Sequence, residues 1–248
     1  MRHAAIALLL LLGQAAAKPA FEVATIKRNV SGEGGSIGIE PGGRFRAINA
    51  DVRFMIAAMY RPAGGPRLFQ SQIIGLPDWA STEKYDMIGK VANEFAGLST
   101  AEQFRRMPPM VQSLLEDRFQ LRLHRETRQM PIYALVVTRP GVIRSSTVDC
   151  RKEPDRCRIE SAGGHYSAAG LTMNNFMIFL SSTVERVVID RTGLQGAYDV
   201  DFDWSSEPGS DKPSIFTSLQ EQLGLKLEST RGPVDVLVID HIERPTQD

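Results

Sequence analysis

Apolar and polar residues alternate over residues 21–27 (Phe-Glu-Val-Ala-Thr-Ile-Lys), which predicts a half-buried strand. Residues 44–48 (Arg-Phe-Arg-Ala-Ile) predict a second. Between them, residues 29–43 are rich in Gly and Ser and predict a mobile loop or a loose hairpin around Ile37 and Ile39. The apolar period then lengthens. Val52, Met55, Ile56 and Met59 fall on one face of a helix that Asp51 can cap, that runs through Arg61, and that Pro62 and Pro66 stop. Ile73-Ile74 and residues 85–90 read as short strands. Residues 100–119 read as a helix that Pro108-Pro109 must break or restart. Residues 121–125 and 132–137 predict a hairpin with Pro131 in its turn.

The second half returns to the same pattern. Thr172 caps a helix with Met173, Phe176, Met177 and Leu180 on one face. Val188-Ile-Asp and Tyr198-Asp-Val read as strands, and residues 214–223 as a helix closed by Gly224. Residues 225–228 and 234–239 form a last strand pair, and residues 205–213 predict a polar, mobile loop. Six landmarks recur in order, among them Tyr85-Asp and Tyr198-Asp, Leu115 to Leu123 and Leu219 to Leu227, Arg139-Pro and Arg244-Pro. The spacing predicts a duplicated unit of roughly 80 to 100 residues. The expected fold is α+β: two tandem pseudo-repeats, each strand, helix, strands, helix, hairpin, with helices packed on mainly antiparallel sheets. The division is residues 1–17 as a signal peptide, 18–145 as the first unit, 146–164 as a disulfide-tied linker and 165–248 as the second unit.

The leader reading rests on Arg2, a short apolar run from Ile6 to Leu12 and the small residues Ala15-Ala-Ala17. The run is too short to span a bilayer, and no later stretch is longer. Cleavage after Ala17 leaves 28 basic residues against 29 acidic ones, so the formal charge is −1. That balance gives no basic footprint for nucleic acid and no polybasic attachment to anionic membranes. The 42% hydrophobic content is that of a globular chain. Cys150 and Cys157, the two cysteines present, read as one structural disulfide in an oxidising compartment. A metal site lacks a nearby His, and the spacing is not that of a Cys-x-x-Cys redox pair.

Each patch of candidate chemistry has a plainer explanation. Asp199, Asp201 and Asp203 share one face of a strand and could hold Ca²⁺ through carboxylate oxygens. The calcium-hand Gly and Glu are absent, with Trp204 and Ser210 in those places, so a solvated strand face is preferred. Ser81-Thr-Glu-Lys84 matches the Ser-x-x-Lys nucleophile motif without its partner motifs. Gly32, Gly34, Gly35 and Gly38 fit neither phosphate-loop spacing. His124, His165 and His241 are scattered in or beside predicted strands. Arg118, Arg122, His124, Arg125 and Arg128 make a basic stretch, interleaved with Glu116, Asp117 and Glu126. The methionines at helical spacing read as core filling.

Tyr85-Asp-Met, Leu-Leu-Glu-Asp-Arg-Phe-Gln-Leu-Arg-Leu-His-Arg-Glu-Thr, Val-Ile-Asp-Arg-Thr-Gly-Leu-Gln-Gly-Ala-Tyr-Asp and the closing Val-Ile-Asp-His-Ile-Glu-Arg-Pro resemble an uncharacterised, soil-associated exported protein family, a domain of unknown function. The likeness runs from Phe21 to Pro245. It implies no assigned reaction and carries over no catalytic residues. Related domains attached to antibiotic-sensor-type membrane peptidases imply a sensing or binding role, although this chain lacks their membrane helices and His-Glu-x-x-His. A weaker likeness of topology is to the short N-terminal domains of secretins and TonB-dependent receptors, which implies no function.

The sequence therefore predicts an exported, periplasmic or extracellular binding, sensing or interaction module with a groove between its units. Its partner would be an envelope protein, a peptide or a glycan. No catalytic, cofactor-binding or metal-ligating residue is assigned. The alternative is a cell-envelope hydrolase whose site is assembled from Ser81, Lys84, the histidines or the Asp199 to Asp203 stripe.

Overall fold

The computed structural model describes residues 18–40, 43–62, 65–92, 95, 97–150, 152–205 and 210–246. Residues 1–17, expected from sequence to be a leader, and part of the expected 205–213 loop lie outside them. The chain is mixed α+β, with three four-stranded sheets and few helices among the described residues. The strands are β1 (Val23–Asn29), β2 (Ser36–Glu40), β3 (Arg44–Asp51), β4 (Ile73–Ile74), β5 (Lys84–Lys90), β6 (Arg122–Val137), β7 (Arg144–Ser145), β8 (Arg158–Ala162), β9 (His165–Thr172), β10 (Val188–Asp190), β11 (Ala197–Asp203) and β12 (Leu225–His241). The helices are α1 (Val52–Met59), α2 (Trp79–Thr82), α3 (Thr100–Arg118), α4 (Met173–Val184) and α5 (Ile215–Gln222).

Contacts divide the chain into two compact units. One takes the chain up to Met55, Trp79–Leu121 and everything from Ile242; the other takes Ile56–Asp78 and Arg122–His241. Neither is a continuous stretch of chain. The first unit holds the antiparallel sheet β1-β5-β3-β2. Asp51 is the joint of that sheet: one carboxylate oxygen accepts the Phe54 N–H at 2.6 Å and so caps α1, and the other takes the Lys84 ammonium at 2.7 Å. Tyr85 and Phe119 meet edge to face at 5.4 Å in this unit.

The α3 helix corrects the expectation of a break. Pro108 and Pro109 lie inside it. They withhold two helical N–H donors, but Phe104 and Arg105, one turn earlier, are both exposed, so water can satisfy the two carbonyls left open there. Met107, Met110, Val111, Leu114 and Leu115 are buried along the other face and hold the helix in line.

The second unit holds the sheets β10-β6-β12-β4 and β7-β11-β9-β8. Each predicted hairpin here is instead one long strand. β6 runs 16 residues and β12 runs 17, antiparallel from Leu225 opposite Val137 to His241 opposite Arg122. Pro131, expected in a turn, sits inside β6 opposite Arg231, and Pro233 sits inside β12 opposite Gln129. Two residues from Pro131, the Tyr133 N–H points away from β12 and reaches the Val187 carbonyl. By the period of two, the ring nitrogen of Pro131 points the same way and removes no β6–β12 bond. Short parallel strands finish the ribbon: β10 beside β6 and β4 beside β12. The core of this unit gathers Tyr166, Phe176, Leu180, Phe202, Leu219 and Leu225. Within the segment 29–43, β2 pairs with β3 so that Ile39 lies opposite Phe45.

Candidate functional site

The second unit contains an apolar cavity of about 450 Å³, within the roughly 300–1,000 Å³ of small-ligand sites. Its walls are the turn after α1, one face of α4, the start of β10, and the middles of β6 and β12. Thr172 caps α4 by accepting the Asn175 N–H, which fixes the helix phase. Phe176 and Leu180 then enter the core, while Met177 and Ile178 face the cavity. The helix ends at Glu185 in a left-handed conformation (φ 49°) whose N–H returns to the Ser181 carbonyl. Buried Ser181 accepts the Val188 N–H at 3.0 Å and so presents Val187 and Val188 to the cavity.

The opposite wall is built from Pro62, Pro66, Leu68 and Phe69. Gln72 pins it. Its amide oxygen accepts the Phe69 N–H and its nitrogen donates to the Asp235 carbonyl, both at 3.0 Å. The Leu68 N–H donates to the Ala57 carbonyl, and Arg125 donates to the Tyr60 carbonyl at 2.5 Å. The lining carries two exposed cations, Arg67 and Arg125. Its one acid, Asp235, already accepts a hydrogen bond from Thr127 at 2.8 Å.

The residues singled out from sequence do not meet here, Arg125 excepted. Ser81 lies on α2 and Lys84 on β5, where the ammonium is held by Asp51. Both nitrogens of His124 face carboxylates, Nδ1 to Asp240 at 2.9 Å and Nε2 to Glu126 at 3.0 Å. These acids, Asp240 first, hold the imidazole pKa above its ordinary value. Arg128 pairs with Glu126 in the same exposed patch. His165 is similarly placed between Asp203 at 3.4 Å and Asp201 at 3.8 Å. Lys212 lies 2.9 Å from Asp203, and its hydrogen bond is the main cause that pulls that carboxyl below its usual range. Asp199, Asp201 and Asp203 do share the exposed face of β11, with Tyr198, Val200 and Phe202 buried beneath. Asp199 is engaged by backbone, accepting the Gly170 N–H at 3.1 Å. Cys150 and Cys157 form a disulfide, and no described helix is long and apolar enough to cross a membrane.

The cavity wall went unrecognised in the sequence because Pro62 and Pro66 read only as helix stops. The signal available was Leu68-Phe69, two large apolar residues in an otherwise turn-forming stretch.

No curated protein and no solved structure matches this chain. Residues 54–242, well over half of the 248, match the family described as "Protein of unknown function (DUF3738)". The match takes in β6, β12, α4 and every lining residue of the cavity. The chain belongs to that DUF3738 family.

Proposed function

We propose that this protein is an exported binding module whose ligand is a peptide segment with apolar side chains and an acidic group. The reading rests on one observation: an apolar cavity of about 450 Å³ whose lining carries two arginines, one of them also bonded to the Tyr60 carbonyl, and one carboxylate bonded to Thr127. Burial of apolar side chains supplies the affinity, about 25 cal/mol per Å² removed from water, and the guanidiniums select for negative charge. Of the partner classes the sequence allows, a glycan fits less well, because the wall is chiefly aliphatic and proline.

The Cys150–Cys157 bridge supports export, since disulfides persist in oxidising compartments. Two pairing patterns support the duplication. β4 joins β12 in parallel as β10 joins β6, and the sheet β1-β5-β3-β2 has a counterpart in β7-β11-β9-β8. A hydrolase has less support. A base needs one free ring nitrogen towards its nucleophile, whereas His124 and His165 present both nitrogens to carboxylates.

Methyl-detected NMR tests the site with two blocked peptides, acetyl-Leu-Leu-Glu-Leu-amide and acetyl-Leu-Leu-Lys-Leu-amide. The acidic peptide should shift the Met177, Ile178, Val187 and Val234 methyls more than the basic one. Unmoved methyls with both peptides, or shifts that map elsewhere, would refute the proposal.

A further inference from the structure

The outward face of the sheet β7-β11-β9-β8 forms a second concavity in the same unit, about 670 Å³ in volume and built from different residues. Its floor is small. Ser167 and Ala169 on β9 raise almost no side chain, so the flanking strands stand up as walls. The strand register sorts the charges of those walls into two rows. In one row Asp201 lies opposite Ser167, and Ser167 lies opposite Glu160, so a hydroxyl sits between two carboxylates. In the next row Arg158 is opposite Ala169 and Arg144 is opposite Asp199, which places a guanidinium at each end.

Ordinary solvated faces pair off such charges, as His124, Glu126 and Arg128 do on β6. Here most remain apart, although Asp201 lies 3.8 Å from the His165 ring. The side chains of Arg144, Arg158 and Glu160 make no hydrogen bond or ion pair among the described residues. One carboxylate of this face, Asp199, accepts the Gly170 N–H and is thereby oriented. The neighbouring Asp203 is taken up by Lys212 and His165 and lies outside the lining.

We propose that this trough binds a small zwitterion, with its ammonium between Glu160 and Asp201 and its carboxylate towards Arg158 and Arg144. The rows are two residues apart along the strands, about 7 Å. Two extended residues span about the same length, so a dipeptide with free termini matches the spacing and a single α-amino acid is too short. The ammonium meets two acceptors and the Ser167 hydroxyl, and the carboxylate meets planar guanidinium donors, the pairing that favours bidentate contact. The site is independent of the apolar cavity, sharing no lining residue with it.

The test is an amide NMR titration of the whole protein at constant ionic strength with three probes: Ala-Ala with free termini, acetyl-Ala-Ala, and Ala-Ala-amide. Ala-Ala should shift the Ser167, Ala169 and Asp201 amides saturably, and each blocked form should bind at least about tenfold more weakly. Arg158→Gln and Glu160→Gln, both on the exposed edge strand β8, should each weaken Ala-Ala binding and leave the melting temperature and the disulfide intact. If the three probes act alike, if neither substitution changes the titration, or if no amide moves at about 20 mM Ala-Ala, the face is an ordinary solvated surface and the proposal fails.

Discussion

Asp199 accepts the backbone N–H of Gly170 at 3.1 Å, where β9 bulges against β11 and Gly170 adopts a left-handed φ of +73°. In the other unit Asp86 accepts the N–H of Asn49 at 2.9 Å, where β3 bulges against β5 and Asn49 adopts φ +51°. Each carboxylate follows the tyrosine of a Tyr-Asp pair, and each satisfies an amide that the bulge withdraws from the ladder. Asp86→Ala also loses the Asn29 side-chain hydrogen bond at 2.7 Å and should cost about 1–3 kcal/mol in urea unfolding. Asn49→Gly should be tolerated to within about 1 kcal/mol, whereas a β-branched residue there should not.

At Gly170 a second constraint is added. A Cβ there would lie 2.6 Å from the Cys150 sulfur, so the disulfide rests against bare backbone. Gly170→Ala should destabilise the protein by about 1–3 kcal/mol. Pairing it with Cys150→Ser and Cys157→Ser should recover part of the added loss, since the clash is removed and the unfavourable φ remains. Calorimetry of the single, double and triple variants measures this coupling. Strict additivity would show that sulfur contact plays no part.

Pro131 and Pro233 lie in β6 and β12 where the neighbouring short strands stop: β10 reaches back to Tyr133 and β4 to Leu237. Their missing donors face open edges, a known guard against edge pairing. Pro131→Val and Pro233→Val should leave the chemical unfolding midpoint nearly unchanged, within about 0.5 kcal/mol. They should raise concentration-dependent self-association, read by light scattering.

Glu83 takes a two-pronged hydrogen bond from Arg244, at 2.9 and 3.0 Å, and the Tyr85 hydroxyl donates to its other oxygen at 2.9 Å. The Arg244 guanidinium also lies 5.0 Å from the Trp79 ring centre. Arg244, then Tyr85, draws the Glu83 carboxyl below its usual range, while burial and Glu83 push Tyr85 up to about 12. A lowered carboxyl pKa adds stability above the unfolded-state value, about 4.5, and that stability is lost as pH falls through the folded-state value. The difference in unfolding midpoint between the wild type and Arg244→Gln should therefore be full near neutrality and shrink below about pH 4.5. Arg244→Lys should not restore it, because an ammonium cannot fork onto the carboxylate.

His124 works in the opposite sense. Its raised pKa makes its contribution full below about 6.5 and loses it as pH rises through the folded-state value. Asp240→Asn should move the imidazole titration, followed by proton NMR, back towards the ordinary histidine range.

Periodicity made the local elements legible. Asp51 and Thr172 cap the helices expected of them, and the alternation of Tyr198 to Asp203 fixed which carboxylates face solvent. It failed at prolines. Pro131 and Pro233 carry the same turn signal whether a chain reverses or runs along a strand edge, and only the partner strand decides between these. Pro108 and Pro109 are tolerated because a buried apolar face outweighs two lost donors. The cavity was hidden for a related reason. Pro62, Ile178, Val187 and Pro233 are far apart in sequence, and nothing in any one segment marks them as sharing a wall.

The most direct test of the binding account is the affinity of acetyl-Leu-Leu-Glu-Leu-amide, by calorimetry, for the wild type, Met177→Trp and Arg125→Gln. Met177→Trp fills the cavity and should abolish binding, while Arg125→Gln should weaken the acidic peptide by about tenfold or less and leave its lysine counterpart unchanged. Equal affinity across the three proteins would contradict the account, because binding would then owe nothing to the apolar wall or to its guanidinium.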